Sequence, residues 1–345
     1  MKKPMHLQPG DKVAVVSTSS GSLGEPQLYH KYELAKARLE GSYGLRVVPM
    51  PHALKGREFV YRHPEARAQD LMDAFRDPEI KAVFNAIGGD DSIRMLPYLD
   101  FDVLAANPKI FTGFSDTTSV HFMLHKAGIV SYYGLALMTD LAEYGEMNEY
   151  TRDMMERTIF RPEPILDIPC SEFFAYETDK IPWGAENQHL RRPRFPNFGY
   201  EIIQGSGAVT GELLGGCVEV FLMLLGTPLW PKPEEWQGKL LLLETSEENM
   251  SADYLIWILR GLQAQGVFDA VSGIVMGKPA FPEQVEPFKD ALRKVVGFEA
   301  GRPELPILFN VNVGHAYPIG LLPLGLRYEI DCERPGLRLL EPATE

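Results

Sequence analysis

Over the first 128 residues, short apolar runs alternate with stretches whose apolar residues return at helical spacing, and that alternation limits the folds open to the chain. "KVAVVST" (12–18), "YGLRVVPM" (43–50), "IKAVFNAIGG" (80–89) and "PKIFTGF" (108–114) are predicted strands. "LYHKYELAKARLEGS" (28–42) and "PEARAQDLMDAFRDP" (64–78) are predicted helices between them. Strand and helix in turn imply a parallel sheet with helices on both faces, a flavodoxin-like arrangement whose ligands gather at the C-terminal strand ends. Three loops fall at such ends: "STSSGS", "IGGDDS" and "GFSDTT".

The third loop places Ser115 between the apolar Ile110, Phe111 and Phe114 and a helix marked by Val120, Leu124 and Ala127, closed by Gly128. A hydroxyl on a strand-to-helix turn stands clear of the sheet edge, with free N–H groups of the first helical turn beside it. The hydrolase elbow has glycine two residues after the serine, whereas this chain has Thr117. Taken alone, Ser115, Asp116 and Thr117 also suit plain helix capping.

From Glu163 to Gly205 the alternation gives way to a proline-rich stretch containing "IPWGAEN" and "LRRPR". A connection this long is usually functional. Then "GAVTGELLGG", "GKLLLLETS", "VSGIVMG" and "LPILFNVNVGH" resume as predicted strands, with "CVEVFLMLLGT" and "SADYLIWILRGLQAQG" as helices. The expected organisation is α/β in two domains. An N-terminal domain over 1–163 carries the serine turn, a linker or substrate loop runs over 164–205, and a second α/β domain covers 206–345. The active site is expected in the cleft between the domains.

A net charge of −13 on 345 residues repels polyanions, so nucleic acid is excluded as a partner while a ligand with a single nucleotide is not. Cys170, Cys217 and Cys332 lie far apart without a CxxC pair, which argues against a disulfide framework and a cysteine zinc site. The N-terminus has Pro4, His6 and Pro9 where a signal peptide needs an apolar core, and no apolar run reaches membrane length. A cytoplasmic protein with no membrane partner is expected.

Several constellations need weighing. The glycines of "GSGAVTGELLGG" are spread along a strand rather than packed into a strand-to-helix turn, so close backbone packing explains them better than a dinucleotide. His121 and His125 share a helical face at a spacing that can hold zinc, but no third ligand accompanies them and structural histidines are expected. Glu244 ends the apolar run "LLLLE", where a carboxylate is costly to bury unless something holds it; a solvated strand end is the alternative. His315 follows Gly314 in a loop after a predicted strand, where it is either inert or placed for proton transfer. Ser115, Glu244 and His315 all fall at C-terminal strand ends, so one cleft can assemble nucleophile, acid and base.

"IGGDDSIRMLPYLDFD", "GFSDTT", "GELLGG", "LLLETSEE" and "GHAYPIGLLPLG" together resemble the serine peptidases of the LD-carboxypeptidase family, and especially their microcin-immunity (MccF-like) branch. The resemblance implies a homodimer and a metal-free, cofactor-free Ser–Glu–His triad of Ser115, Glu244 and His315. It also implies an oxyanion hole from the backbone N–H groups of Gly89 and Asp116. Asp116 and Thr117 are then left to cap the helix. Peptidoglycan-cleaving members tend to carry an Arg-Gly-Gly-Tyr-Gly block where this chain has Ile87-Gly88-Gly89-Asp90-Asp91, and they lack the "IPWGAEN" linker. The implied activity is cleavage of the amide between an amino acid or peptide and a nucleotide-like group, of the aminoacyl-sulfamoyl adenylate type, in self-immunity or detoxification. Murein tetrapeptide LD-carboxypeptidase and a non-catalytic small-molecule binding protein are the alternatives. Trp183 is a candidate to stack on a nucleobase, or else packs the linker onto the sheet.

Overall fold

The computed structural model describes residues 1–345. Its first sheet contains β1 (Lys12–Val16), β2 (Arg46–Pro49), β3 (Ile80–Asn85), β4 (Ile110–Gly113) and β5 (Ser131–Tyr133), in spatial order β2-β1-β3-β4-β5 and all parallel. This is the doubly wound order with its switch point between β1 and β3. Because strand side chains alternate in direction, Val13 and Val15 pack with Tyr32, Ala35 and Leu39 of the helix Tyr29–Tyr43. Ala14 and Val16 face the other way, onto Ala68, Leu71 and Phe75 of the helix Pro64–Arg76 and onto Val120 and Leu124 of Thr118–Lys126. Both faces are therefore covered, which is why β1 is apolar at consecutive positions.

The second sheet runs Leu166–Ile168, Gly336–Leu339, Arg327–Asp331, Ala208–Cys217, Leu240–Glu244, Gly273–Gly277, Ile307–Val311 and Glu201–Gln204. Its centre, from Ala208–Cys217 to Ile307–Val311, is parallel and its flanks antiparallel. Leu241 and Leu243 pack with Leu255, Leu259 and Leu262 of the helix Ala252–Ala264. Leu240 and Leu242 instead join Tyr132 and Tyr133 of β5 in one core of 47 buried residues that both sheets share.

The boundaries expected at residues 163 and 206 do not coincide with sheet membership. Leu322–Leu324 returns to the first sheet and pairs antiparallel with β5, while Leu166–Ile168 and Glu201–Gln204, from the expected linker, close the two edges of the second. An open sheet edge presents unpaired backbone groups, and these crossings cover three of them. No helix is long and apolar enough to cross a membrane.

The loops after β1, β3 and β4 are tied together from behind. Buried Arg67 donates to both Asp91 carboxylate oxygens, at 2.6 and 3.2 Å, and to the carbonyls of Thr18 and Ser19. Asp116 Oδ2 accepts from Ser19 Oγ and from the Asp91 and Ser92 amides, at 2.5, 3.0 and 2.7 Å. Removing one member of a buried ion pair strands the other charge, so Arg67→Met should lower the unfolding free energy by roughly 3–5 kcal/mol in urea titration. A loss below about 1 kcal/mol would show that the brace is dispensable.

Candidate active site

Ser115 has φ of 64°, a left-handed conformation that a side-chain-bearing residue holds at a cost of about 1–3 kcal/mol and that recurs at functional turns. Three hydrogen bonds fix it: Thr117 Oγ1 donates to the Phe114 carbonyl at 2.7 Å, Thr118 Oγ1 to the Ser115 carbonyl at 2.7 Å, and the Ser115 N–H to the Tyr133 hydroxyl at 3.2 Å. The expected capping role of Asp116 and Thr117 is therefore corrected. Thr117 bonds back to the preceding turn and makes no side-chain cap, and the Asp116 carboxylate binds the neighbouring loops instead. Gly88 explains how the serine gains room, because a Cβ there would stand 2.9 Å from Ser115 Oγ and 3.6 Å from the Asp116 nitrogen.

Glu244 ends its strand beside Cys217, its register partner, and is fully buried. Its two oxygens are both occupied. Oε1 accepts from the Tyr133 hydroxyl at 2.5 Å and Oε2 from His315 Nδ1 at 2.8 Å. Gly314 permits that approach, since a Cβ there would lie 2.3 Å from Glu244 Oε2. The Phe114 ring meets the imidazole edge-on at 5.1 Å. Burial alone would lower the His315 pKa, but the Glu244 and Glu247 carboxylates overcome it and hold the imidazole well above its usual value.

The structure brings Ser115 and His315 to the wall of one cavity of about 690 Å³, which also takes in Gly89, Trp183, Arg192 and Glu247. No hydrogen bond joins Ser115 to His315. Nε2 faces Glu247 Oε2 at 3.0 Å instead. Trp183 lines this cavity and also packs against the shared core, with Lys31 and Lys180 ammonium groups 5.5 and 5.2 Å from its ring. Its backbone carbonyl accepts from the Tyr144 hydroxyl at 2.7 Å. Lys31 is buried, donates to the Ala142 carbonyl, and is pushed down to about 7 by desolvation.

His121 is fully buried, with Nε2 donating to the Gly113 carbonyl and Nδ1 facing Ser131 Oγ, both at 2.8 Å, so neither nitrogen is open to a metal. Desolvation pushes it down to about 4, and His125 likewise. Cys217, Glu244 and His315 place donor atoms within 4.8 Å of one another, a set able to hold a cation only by breaking the Glu244–His315 bond. Tyr133, Glu247 and Arg67 escaped the sequence reading. Tyr133 sits in the apolar "SYYG" of a strand, and nothing in the sequence distinguishes it from core.

Tyr133→Phe tests the link between the two sheets. It leaves one oxygen of a buried carboxylate without a donor, so the melting transition should fall by the equivalent of about 1–3 kcal/mol. Unchanged melting would mean that another group satisfies Glu244.

Two family models match the chain: the LD-carboxypeptidase N-terminal domain over residues 13–134 and the LD-carboxypeptidase C-terminal domain over 210–330. An MccF-like protein from Streptococcus pneumoniae, solved in complex with AMP, is 34% identical over 96% of this chain and 98% of its own, with TM-score 0.87. The microcin C7 self-immunity protein MccF, solved with aspartyl sulfamoyl adenosine, is 25% identical over the whole of both chains, with TM-score 0.88. A Bacillus subtilis protein named "Probable murein peptide carboxypeptidase" is 28% identical over 94% of this chain and 90% of its own. With both domains matched and the likeness running end to end, the chain belongs to the LD-carboxypeptidase family of serine peptidases.

Proposed function

We propose that this chain is a serine hydrolase that cleaves the amide between an amino acid or peptide and a nucleotide-like group. The observation that carries the reading is one cavity lined by a half-buried, conformationally strained Ser115, by His315 with buried Glu244 behind it, and by Trp183. In the proposed reaction Ser115 Oγ attacks the acyl carbon while His315 Nε2 takes its proton and passes it to the departing nitrogen. Water then releases the acyl group by the reverse proton path. Glu244 keeps the proton of Nδ1 in place and offsets the imidazolium charge. The amides of Gly89 and Asp116 are assigned to the developing oxyanion, since the Ser115 amide is committed to Tyr133. The relatives bound to AMP and to aspartyl sulfamoyl adenosine support a nucleotide-bearing substrate. Release of D-alanine from murein tetrapeptide is the second reading, supported by the murein-peptide relative. A homodimer, as the family resemblance implies, and a cytoplasmic location complete the proposal.

Purified protein should release the amino acid from an aminoacyl-sulfamoyl adenosine, followed by mass spectrometry. D-alanine from murein tetrapeptide as the sole product would replace the leading reading with the second. Ser115→Ala, His315→Ala and Glu244→Ala should each cut turnover by about a thousandfold or more, and the Ser115/His315 double variant should be little worse than Ser115→Ala. Near-normal turnover in Glu244→Ala would remove it from the triad.

The base must be neutral to accept a proton, and His315 has a raised pKa, so kcat/KM should climb with pH through a point above the ordinary imidazole value. A profile flat from about pH 5 to 8 would contradict that role.

Trp183→Ala should mainly raise KM on adenylates, by roughly five- to 150-fold for about 1–3 kcal/mol of stacking, and leave small acyl amides less affected. Equal losses on both, with lowered melting, would make Trp183 a packing residue.

A further inference from the structure

His315 lies between two carboxylates of different character. Glu244, on Nδ1, is wholly buried and braced by Tyr133, whereas the Glu247 side chain on Nε2 is 44% exposed on the cavity wall. The 3.0 Å contact at Nε2 lacks hydrogen-bond alignment. With one carboxylate bonded at Nδ1 and a second 3.0 Å from Nε2, the surrounding negative charge favours the imidazolium, which has no lone pair for the Ser115 proton. Glu247 therefore parks on the atom that the reaction needs.

The groups facing the ring are Glu244 from its strand, Glu247 from the loop that follows, Cys217 from the neighbouring strand and Asp140 from the segment Leu137–Leu141. Asp140 accepts from Thr139 Oγ1 and from the Ala136 amide, both at Oδ2. Elsewhere in the cavity Glu219 accepts from the Ser246 amide and hydroxyl, and Glu177 pairs with Lys180 at 2.6 Å. Glu247 is the carboxylate whose release would change the state of the base.

A cation is the natural group to draw it away. When an amino acid is linked through its carboxyl group, a free α-ammonium sits one carbon from the scissile carbonyl. With the acyl carbon about 3–3.5 Å from Ser115 Oγ, that ammonium lies in the cavity whose wall carries Ser115, His315 and Glu247. In a peptidyl donor the same nitrogen is an uncharged amide.

We propose that Glu247 is the specificity residue for a free α-ammonium on the acyl side: the substrate's cation pairs with Glu247, the carboxylate leaves Nε2, and His315 becomes free to accept the Ser115 proton. This rests on the triad reading above and narrows the substrate class to aminoacyl over peptidyl donors. Murein tetrapeptide, with an acylated α-nitrogen before its scissile bond, is disfavoured by the same argument.

The test compares the wild-type protein with Glu247→Gln on an aminoacyl-sulfamoyl adenosine and on its desamino counterpart. The wild type should favour the ammonium-bearing compound in kcat/KM by about tenfold or more, and in the variant that preference should collapse toward unity as the desamino rate rises. A preference that survives in Glu247→Gln, or equal losses on both compounds, overturns the proposal. Labelling of Ser115 by a fluorophosphonate gives a readout independent of substrate. Its pH profile should move toward lower pH by about one unit in the variant, because one carboxylate no longer holds the proton on His315. An unmoved profile overturns the latch. Hydrolysis of neither compound by a protein that still labels would overturn the substrate reading and the ammonium assignment with it. Equal hydrolysis of both by the wild type would overturn the ammonium assignment alone.

Discussion

A carboxylate with no exposure to water holds the two sheets in register at the site. Glu244 comes from the second sheet, its Tyr133 partner from the first, and its His315 partner from a loop beyond the strand Ile307–Val311. Burying such a charge is unfavourable unless every oxygen finds a donor, so the relative placement of the sheets is constrained to the geometry in which both donors reach it. Tyr133 also accepts from the Ser115 amide, so the Ser115 backbone and the Glu244 carboxylate are separated by one hydroxyl group. A shift of either sheet would disturb stability and the geometry of the site together.

The serine turn depends on a second buried carboxylate. Asp116 gathers the hydroxyl of Ser19 and the amides of Asp91 and Ser92, and the Ser92 hydroxyl donates to its backbone carbonyl at 2.7 Å. These bonds draw the loops after β1, β3 and β4 into one rim at the switch point of the sheet, where the fold leaves a crevice. The left-handed backbone of Ser115 is tolerated because the surrounding bonds over-determine it, as is usual where strain persists in a native state.

Electrostatics in the cavity follow from the same architecture. Glu244 and Glu247 both raise the affinity of His315 for a proton, and Glu247 is in return held down to about 2 by the imidazolium beside it. The inner carboxylate is fixed by burial and serves orientation. The outer one is reached by water and is the member of the pair that the proposed ammonium would draw away. Under the proposal for Glu247, a His315 kept protonated at rest filters which acyl groups start the reaction.

Much of the fold was legible in the sequence because parallel α/β structure writes itself locally. Continuous apolar runs mark strands covered on both faces, and helical periodicity marks their covers, so β1, β3 and β4, with their loops, and "LLLLE" with its terminal carboxylate were all identifiable from pattern alone. The positions of Ser115, Glu244 and His315 at strand ends belong to that local information. Their convergence does not, because it depends on sheet order, and on strands such as Leu322–Leu324 that leave their neighbours in sequence to cover a distant edge. Nor did local pattern separate Tyr133 from other core aromatics, or reveal that Asp116 binds loops rather than capping a helix, since each role is set by partners 18 to 111 residues away. The sequence by itself determined which side chains stand at the C-terminal edges. Only the tertiary structure decided which of them meet, because burial makes a hydrogen-bond partner obligatory without saying where in the chain that partner lies.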